Sequence, residues 1–265
     1  MLIPFDALKK SGMAGLLILL LLLLYSLQAV QSKRVYTHQF PVGSEQLSLP
    51  EGGIITFSIY MGRVKYAYMS LTLESMRWNA PLVQFALINV VEKEEDASEL
   101  RELLQRKQVR NFHLEVITIS RFAQLVSDKL HITVSFNSTW YYKMTDYKPT
   151  LAYLFPQLID SPPPTGLRPP KHPFAYWGYV DTDLVWGNFS RFAPLFRAGH
   201  AVVSSDYQGA SGVAMFFRND EWSRRLFQRG DPLYTQLLAV WEDFQVCAVC
   251  CVLCAVCCVL CDLTH

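Results

Sequence analysis

The first 246 residues of this 265-residue chain lack cysteine, and neither acidic nor basic residues form a long run anywhere in it. Without cysteine, that part of the chain has no disulfides. The 24 basic and 23 acidic residues nearly balance, so we expect no nucleic-acid partner. The hydrophobic content of 51% excludes a disordered protein and predicts one sizeable globular domain with targeting segments.

All seven cysteines lie in a tail between Cys247 and Cys261. The heptapeptide CAVCCVL occurs there twice in tandem, at residues 247–253 and 254–260. A metal or palmitoylation patch, a second short membrane segment and a low-complexity tail all remain open. We favour the last, because zinc sites need separated ligand pairs with intervening fold. Residues 246–265 are therefore assigned to a Cys-rich low-complexity tail without function.

A long apolar run near the start predicts a membrane anchor. Residues 13–30 contain LLILLLLLL and no charge, which is long enough to span a thin bilayer as a helix. A cleaved signal peptide is the competing interpretation, although its apolar core is usually shorter, about 7–15 residues. We expect a cytoplasmic tail and signal anchor over residues 1–31 and a stem over residues 32–51. Both interpretations send the body to the secretory lumen, and the anchor predicts a type II protein of the Golgi or endoplasmic reticulum membrane.

From residue 52 onward, strand-like and helix-like runs alternate, which predicts an α/β domain with a mostly parallel sheet over residues 52–245. Strands are expected where β-branched and aromatic residues cluster: Ile54–Tyr60, Leu82–Val91, Phe112–Ile119, Phe174–Val180, Ala201–Ser204 and Gly212–Phe217. Helices are expected at Lys65–Trp78, Glu94–Lys107, Phe122–Leu130, Tyr147–Ile159 and Glu221–Arg229. Pro156 should kink or shorten the fourth of these helices. The proline-rich segment Ser161–Pro173 predicts a stiff loop.

Two aspartates follow the strand at residues 174–180, in the order Asp181-Thr182-Asp183. A parallel α/β sheet binds ligands beyond the carboxyl ends of its strands, where this strand would deliver both carboxylates. Their hard oxygen atoms suit Mg²⁺ or Mn²⁺, which would neutralise the diphosphate of a nucleotide-sugar. Most aspartate pairs of this spacing are ordinary turn residues, and that alternative stands beside the metal site.

The chain resembles a family of predicted GT-A glycosyltransferases whose metal-binding strand has the form F-W-G-Y-x-D-x-D-x-x-x-G. The resemblance extends from about Gly53 to Phe244. Its matching pieces are Tyr60 and Gly62, YKMTDYKP at 142–149, WGYVDTDLVWG at 177–187 and SGVAMFFRN at 211–219. The resemblance implies a GT-A fold with a Rossmann-like sheet, a nucleotide-sugar donor, a divalent metal, and a glycan, protein or lipid acceptor.

Residue roles follow from the resemblance. Asp183 is expected to coordinate the metal, and Asp181 to bind the metal or the donor ribose. The other residues implied to contact the donor are Tyr60, Gly62, Lys143, Asp146, Lys148 and Gly212. Lys148 and Pro149 could instead simply begin a helix. Arg218 and Asn219 could cap the helix that follows them.

Three aromatic residues near the acidic pair have two interpretations. Trp177, Tyr179 and Trp186 could stack on the base or the sugar, but aromatic residues of a buried strand usually belong to the core. For Trp177 we expect the core.

The acidic residue that GT-A enzymes place further downstream is less clear in this sequence. Glu242 and Asp243 are the catalytic candidates, but the cysteine repeat begins four residues after Asp243 and no histidine follows before His265. The domain could therefore be truncated at its carboxyl end. An inactive glycosyltransferase-like protein and a membrane-tethered interaction protein remain as alternatives.

Overall fold

The computed structural model describes residues 52–64, 66–80, 82–136, 141–160, 174–204 and 213–229, together with Leu238. The chain divides into two units, residues 1–44 and 45–265, and every described residue belongs to the second. The predicted anchor, stem, proline-rich loop and Cys-rich tail lie outside the described residues. Within the part of the chain that is described, the search for a helix of sufficient length and hydropathy to cross a bilayer finds none.

A single mixed sheet organises the described residues, with the strand order β3-β2-β1-β4-β6-β5. The strands are β1 Ile54–Met61, β2 Val83–Val91, β3 Phe112–Thr118, β4 Tyr176–Val180, β5 Val202–Ser204 and β6 Ala214–Arg218. Strands β1 to β4 are parallel to one another, whereas β6 runs antiparallel to both β4 and β5. The prediction of a mostly parallel α/β sheet is confirmed.

Short helices connect the strands. The α-helices are α1 Tyr66–Trp78, α2 Ser98–Lys107, α3 Ile119–Leu130, α4 Leu151–Leu154, α5 Gln157–Asp160, α6 Ala193–Arg197, α7 Glu221–Arg224 and α8 Leu226–Arg229. Three 3₁₀ segments add Glu94–Ala97, Tyr141–Thr150 and Phe189–Phe192.

The sheet is covered on both faces because its strands alternate between two apolar cores. In β1, Ile55, Phe57 and Ile59 face a core that α3, α4 and the 3₁₀ segment 141–150 complete. Ile54 faces the second core, which includes residues of α1, α2 and α6. Since β1, β2 and β4 are buried on both sides, their near-continuous apolar sequences are what a parallel sheet requires.

Three predicted helices are interrupted. The expected helix 147–159 is instead the end of a 3₁₀ segment followed by α4 and α5, with a break at Phe155. Pro156 explains this break, since it lacks an amide proton and disfavours helical geometry in the residue before it. The helix predicted at 94–107 begins with a 3₁₀ turn, and the helix at 221–229 divides at Arg225.

The strand order reverses between β1 and β4. From β1 the chain builds outward through β2 to β3 and then returns to place β4 on the other side of β1. Connections that diverge in this way leave a crevice at the carboxyl ends of the two central strands, where α/β proteins bind ligands. In this protein the crevice lies between the residues that follow Met61 and those that follow Val180.

Candidate functional site

The acidic pair lies where the sequence places it, directly after β4. The amide of Asp181 donates a hydrogen bond to the carbonyl of Val213 at 2.9 Å, so the pairing of β4 with β6 continues up to the first carboxylate. The side chain of Asp181 is 32% exposed, and Asp183, two residues further into a turn, is exposed. Both groups are therefore fixed at the sheet edge while remaining open to solvent.

A buried lysine meets the first of these carboxylates. Lys148 lies in the 3₁₀ segment 141–150, which packs against β1, and its Nζ forms an ion pair with Oδ1 of Asp181. Only 6% of the Lys148 side chain is exposed. Because a buried ammonium group without a counter-charge is costly, the pair ties this segment to the end of β4.

A second ion pair lies within the same 3₁₀ segment. Lys143 Nζ is 2.8 Å from Asp146 Oδ2, and both side chains are largely buried. The structure thus brings Lys148 to the acidic pair, while Lys143 and Asp146 neutralise each other. Pro149 falls inside the 3₁₀ segment rather than at the start of an α-helix, so the interpretation of Lys148 and Pro149 as a simple helix start is wrong.

The end of β1 forms the opposite wall of the crevice. Gly62 has a φ of 93°, and its amide donates to the carbonyl of Val90 at 2.7 Å. The buried Asn89 donates from Nδ2 to the carbonyls of Tyr60 and Gly62, at 3.3 and 2.9 Å. The left-handed φ suits glycine, since other residues are strained there. Both predicted donor-contacting residues of this strand end are therefore held in a fixed turn.

A tyrosine that the sequence did not single out joins this wall to the acidic pair. The pKa of Tyr68, on α1, is raised mainly by burial and further by the nearby Tyr60 and by the charge of Asp183. These influences place Tyr60, Tyr68 and Asp183 near one another. Tyr68 belongs to an aromatic-rich helix start, and nothing in its spacing indicated a site residue.

The loop after the acidic pair is anchored by two polar residues near the end of α1. Asn79 donates from Nδ2 to the carbonyl of Gly187 at 3.0 Å and accepts at Oδ1 from the amide of Phe189 at 2.9 Å. Ser75 Oγ accepts from the amide of Trp186 at 2.9 Å. These contacts join residues more than a hundred positions apart, so the sequence alone gave no signal for them.

The aromatic residues of this region belong mostly to the core. Trp177 is 1% exposed, stacks on Phe217 with a centroid distance of 4.7 Å, and donates from Nε1 to Ser223 Oγ at 3.0 Å. The expectation of a core role for Trp177 is confirmed. Tyr179 is equally buried, and Trp186 lies edge-on to Phe85 at 5.1 Å. The buried rings of Trp177 and Tyr179 cannot stack on a bound base or sugar.

The residues predicted around the helix after β6 have other partners than expected. Asp220 caps that helix by accepting the amide of Ser223 at 2.8 Å, so the interpretation of Arg218 or Asn219 as the cap is wrong. Asn219 instead donates to the carbonyl of Phe174 at 2.6 Å. Gly212, Glu242 and Asp243 lie outside the described residues, and their predicted roles stay predictions.

An open pocket lies beside the crevice, where β1, β2 and β3 end. Met61, Gly62, Glu92 and Ile119 contribute to its wall, together with the ion pair of Arg63 and Asp96. Arg63 Nη2 is 2.8 Å from Asp96 Oδ1, and this hydrogen bond lowers the pKa of the Asp96 carboxyl below its usual value. The carboxyl edge of the sheet therefore carries a pocket at the ends of β1, β2 and β3.

The acidic pair fits one kind of metal site. Among the described residues, no three histidine, cysteine, aspartate or glutamate side chains are grouped as metal ligands. Mg²⁺ typically binds in proteins through one or two carboxylates, with substrate phosphates and water supplying the remaining ligands. Asp181 and Asp183 provide two such oxygen-donor groups, and the ammonium group beside Asp181 shows that this position favours a cation. The residues suit a metal that arrives with a phosphate ligand.

Fold and site together define an α/β protein with an acidic pair at the carboxyl end of one of its central parallel strands. Residues 56–247 match the model of a family described as "Family of unknown function (DUF6625)", and the chain belongs to this family. No curated protein sequence matches the chain.

Two solved structures resemble the chain remotely. Mouse xyloside xylosyltransferase 1 in its apo form has 11% identity and a TM-score of 0.36, covering 70% of this chain and 71% of that one. Core-mannan synthase A from Aspergillus fumigatus, in its Mn/GDP form, has 11% identity and a TM-score of 0.34, covering 76% of this chain and 70% of that one. Likeness at this level says nothing about what this chain binds.

Proposed function

We propose that this protein is a metal-dependent glycosyltransferase that transfers a sugar from a nucleotide-sugar donor to a glycan, protein or lipid acceptor. One observation carries the proposal: Asp181 and Asp183 lie together at the carboxyl end of β4, where the strand order reverses, with the buried Lys148 beside them. The resemblance of the surrounding motifs to GT-A glycosyltransferases supports a sugar donor over other nucleotides.

The charges of the crevice suit a diphosphate. Asp181 and Asp183 would hold Mn²⁺ or Mg²⁺, which supplies charge neutralisation for the departing nucleoside diphosphate. Lys148, which is paired with Asp181, would place its ammonium group near the same phosphates as a point cation. Tyr60 and Gly62 would shape the opposite wall. The adjoining pocket at the ends of β1, β2 and β3 offers room for the nucleoside.

The roles of the remaining predicted residues complete the proposal. Glu242 or Asp243 would act on the acceptor, and Gly212 would border the sugar. Lys143 and Asp146 would position the 3₁₀ segment 141–150 through their ion pair, so that Lys148 reaches the crevice.

The experiment is a binding titration of the purified full-length protein with UDP and GDP, each with and without Mn²⁺. One nucleotide should bind only with the metal, and at about 100 times its Kd it should stabilise the fold by about 2.7 kcal/mol. Asp181→Asn and Asp183→Asn should each remove the metal-dependent rise in melting temperature.

The matched control is Asp160→Asn. Asp160 also forms an ion pair, with Arg224 at 2.7 Å. Arg224 in turn donates a hydrogen bond to Asn219, which donates to the carbonyl of Phe174, ahead of β4 at the opposite edge of the sheet. Its removal should leave metal-dependent nucleotide binding unchanged. Loss of binding in the control would show that the effect follows from general destabilisation.

Turnover separates the remaining alternatives. Hydrolysis or transfer of a bound nucleotide-sugar would support the enzyme, whereas binding without turnover would favour an inactive glycosyltransferase-like protein. If neither metal nor nucleotide binds, Asp181 and Asp183 are turn residues, which favours a membrane-tethered interaction protein.

We further propose that residues 13–30 anchor the protein in a Golgi or endoplasmic reticulum membrane with the domain in the lumen. The triplet Asn188-Phe189-Ser190 has the form of an N-glycosylation sequon, and Asn188 is exposed, as a glycan acceptor must be. Endoglycosidase treatment of the protein expressed in eukaryotic cells should then reduce its apparent mass. An unchanged mass would speak against the lumenal location.

A further inference from the structure

The Lys148 ammonium group lies where it would compete with a divalent metal ion for Asp181. The ammonium group occupies Oδ1 of Asp181, which is one of the two carboxylates available to a divalent ion in the crevice. A divalent ion bound to Asp181 would lie close to this ammonium group, and two cations sharing one anion repel each other. A metal ion that binds without other ligands must therefore do so against repulsion from the Lys148 ammonium group.

The surroundings make this repulsion hard to avoid. The Lys148 side chain is only 6% exposed, so its charge cannot move freely into water. The segment that carries it is packed against β1 and fixed by the buried Tyr147, whose hydroxyl donates to the carbonyl of Leu238 at 2.8 Å. A new anion in the crevice would provide the counter-charge that Asp181 otherwise supplies.

We propose that Lys148 is a built-in cation that competes with the divalent metal for Asp181 until a diphosphate group arrives to receive it. The inference rests on the proposed function and adds a binding order to it. Metal alone binds weakly, diphosphate alone has no metal to bind, and the two together bind with positive coupling that Lys148 carries. Lys148 thus controls the affinity of the site for the metal as well as contacting the phosphate.

The test measures Mn²⁺ affinity with the metal alone and then with pyrophosphate, in the full-length protein. Lys148→Met should bind Mn²⁺ alone about tenfold more tightly than the wild type, because the competing charge is gone. Added pyrophosphate should then improve Mn²⁺ affinity less in the variant than in the wild type. A lysine with only a structural role would not increase metal affinity on removal.

Matched variants isolate the charge. Lys148→Arg keeps the cation and should bind Mn²⁺ alone as weakly as the wild type. Lys129→Met removes a partly buried lysine of α3 that donates to the carbonyls of Tyr153 and Leu154, and should leave the affinity for Mn²⁺ alone unchanged. Lys148→Gln provides a second uncharged variant. Since Asp181 is 32% exposed, water can solvate its carboxylate once the lysine is gone, so the variants should fold.

The outcomes separate the two proposals. Unchanged or weaker Mn²⁺ binding in folded Lys148→Met and Lys148→Gln, with metal-dependent binding intact in the wild type, overturns the competition alone. Absence of Mn²⁺ binding in the wild type, with or without pyrophosphate, overturns the proposed function together with it.

Discussion

Two buried asparagines at opposite ends of the sheet each donate hydrogen bonds to two backbone carbonyls. Asn89 joins the carbonyls of Tyr60 and Gly62 beside the crevice, and Asn111 joins those of Met76 and Val83, at 2.9 Å each, before β3 begins. Both side chains are fully buried. Comparing variants of Asn89 and Asn111 therefore distinguishes an effect on the stability of the fold from an effect on the site.

We expect Asn89→Ala and Asn111→Ala each to lower the free energy of unfolding by about 1–3 kcal/mol, because each removes two buried hydrogen bonds. Only Asn89→Ala should also weaken metal-dependent nucleotide binding, by several-fold, since it releases the turn at Gly62. Urea unfolding and a binding titration measure the two effects. Equal losses of affinity in both variants would mean that Asn89 acts through stability alone.

At the scale of single elements, β4 is the strand on which the site depends. It lies between β1 and β6, and its glycine, Gly178, is paired with Phe216. A Cβ atom at this position would lie 2.5 Å from the carbonyl oxygen of Met215 and 2.6 Å from the ring of Phe216. The close approach of the two strands thus requires glycine here.

Gly178→Ala should destabilise the protein by about 2–3 kcal/mol, because a backbone carbonyl cannot move aside as a flexible side chain can. Gly187→Ala is the matched control, since a Cβ atom there meets nothing within 4 Å. Thermal unfolding of both variants checks this. A loss of stability in Gly187→Ala as large as that in Gly178→Ala would contradict the steric explanation.

For the whole molecule, burial of tyrosines makes stability sensitive to alkaline pH. Burial raises the pKa of Tyr147, with a further contribution from the charge of Asp146, and burial raises the pKa of Tyr179, with a further contribution from Asp181. The unfolded chain releases these protons at about pH 10, before the folded protein does. The folded state then binds more protons, so the free energy of unfolding decreases as pH rises above that value.

Each buried tyrosine should lower stability by about 1.4 kcal/mol per pH unit above about pH 10, and should have no effect below it. Urea unfolding across this pH range measures the slope. The double variant Tyr147→Phe with Tyr179→Phe should flatten it, although the loss of the hydrogen bond to Leu238 lowers the starting stability. An unchanged slope in the double variant would assign the alkaline sensitivity to other groups.

Most strand and helix positions were predictable from the sequence because they depend on local patterns. The apolar run that became β2 and the amphipathic pattern of α2 each reflect the burial of their own residues. Pro156 predicted a kinked or shortened helix, but not that a 3₁₀ segment would precede the break. That segment follows from its packing against β1, which lies some ninety positions earlier in the chain.

The sequence by itself determined the alternation of strands and helices and the delivery of Asp181 and Asp183 at a strand end, since both are set by neighbouring residues. Only the tertiary structure decided that Lys148 meets Asp181, that Tyr68 joins Tyr60 near Asp183 and that Asn89 fixes the turn at Gly62. These contacts depend on the order in which the strands pair and on which face of the sheet each connection covers. Neither the strand order nor the covered face can be deduced from the spacing of these residues in the sequence.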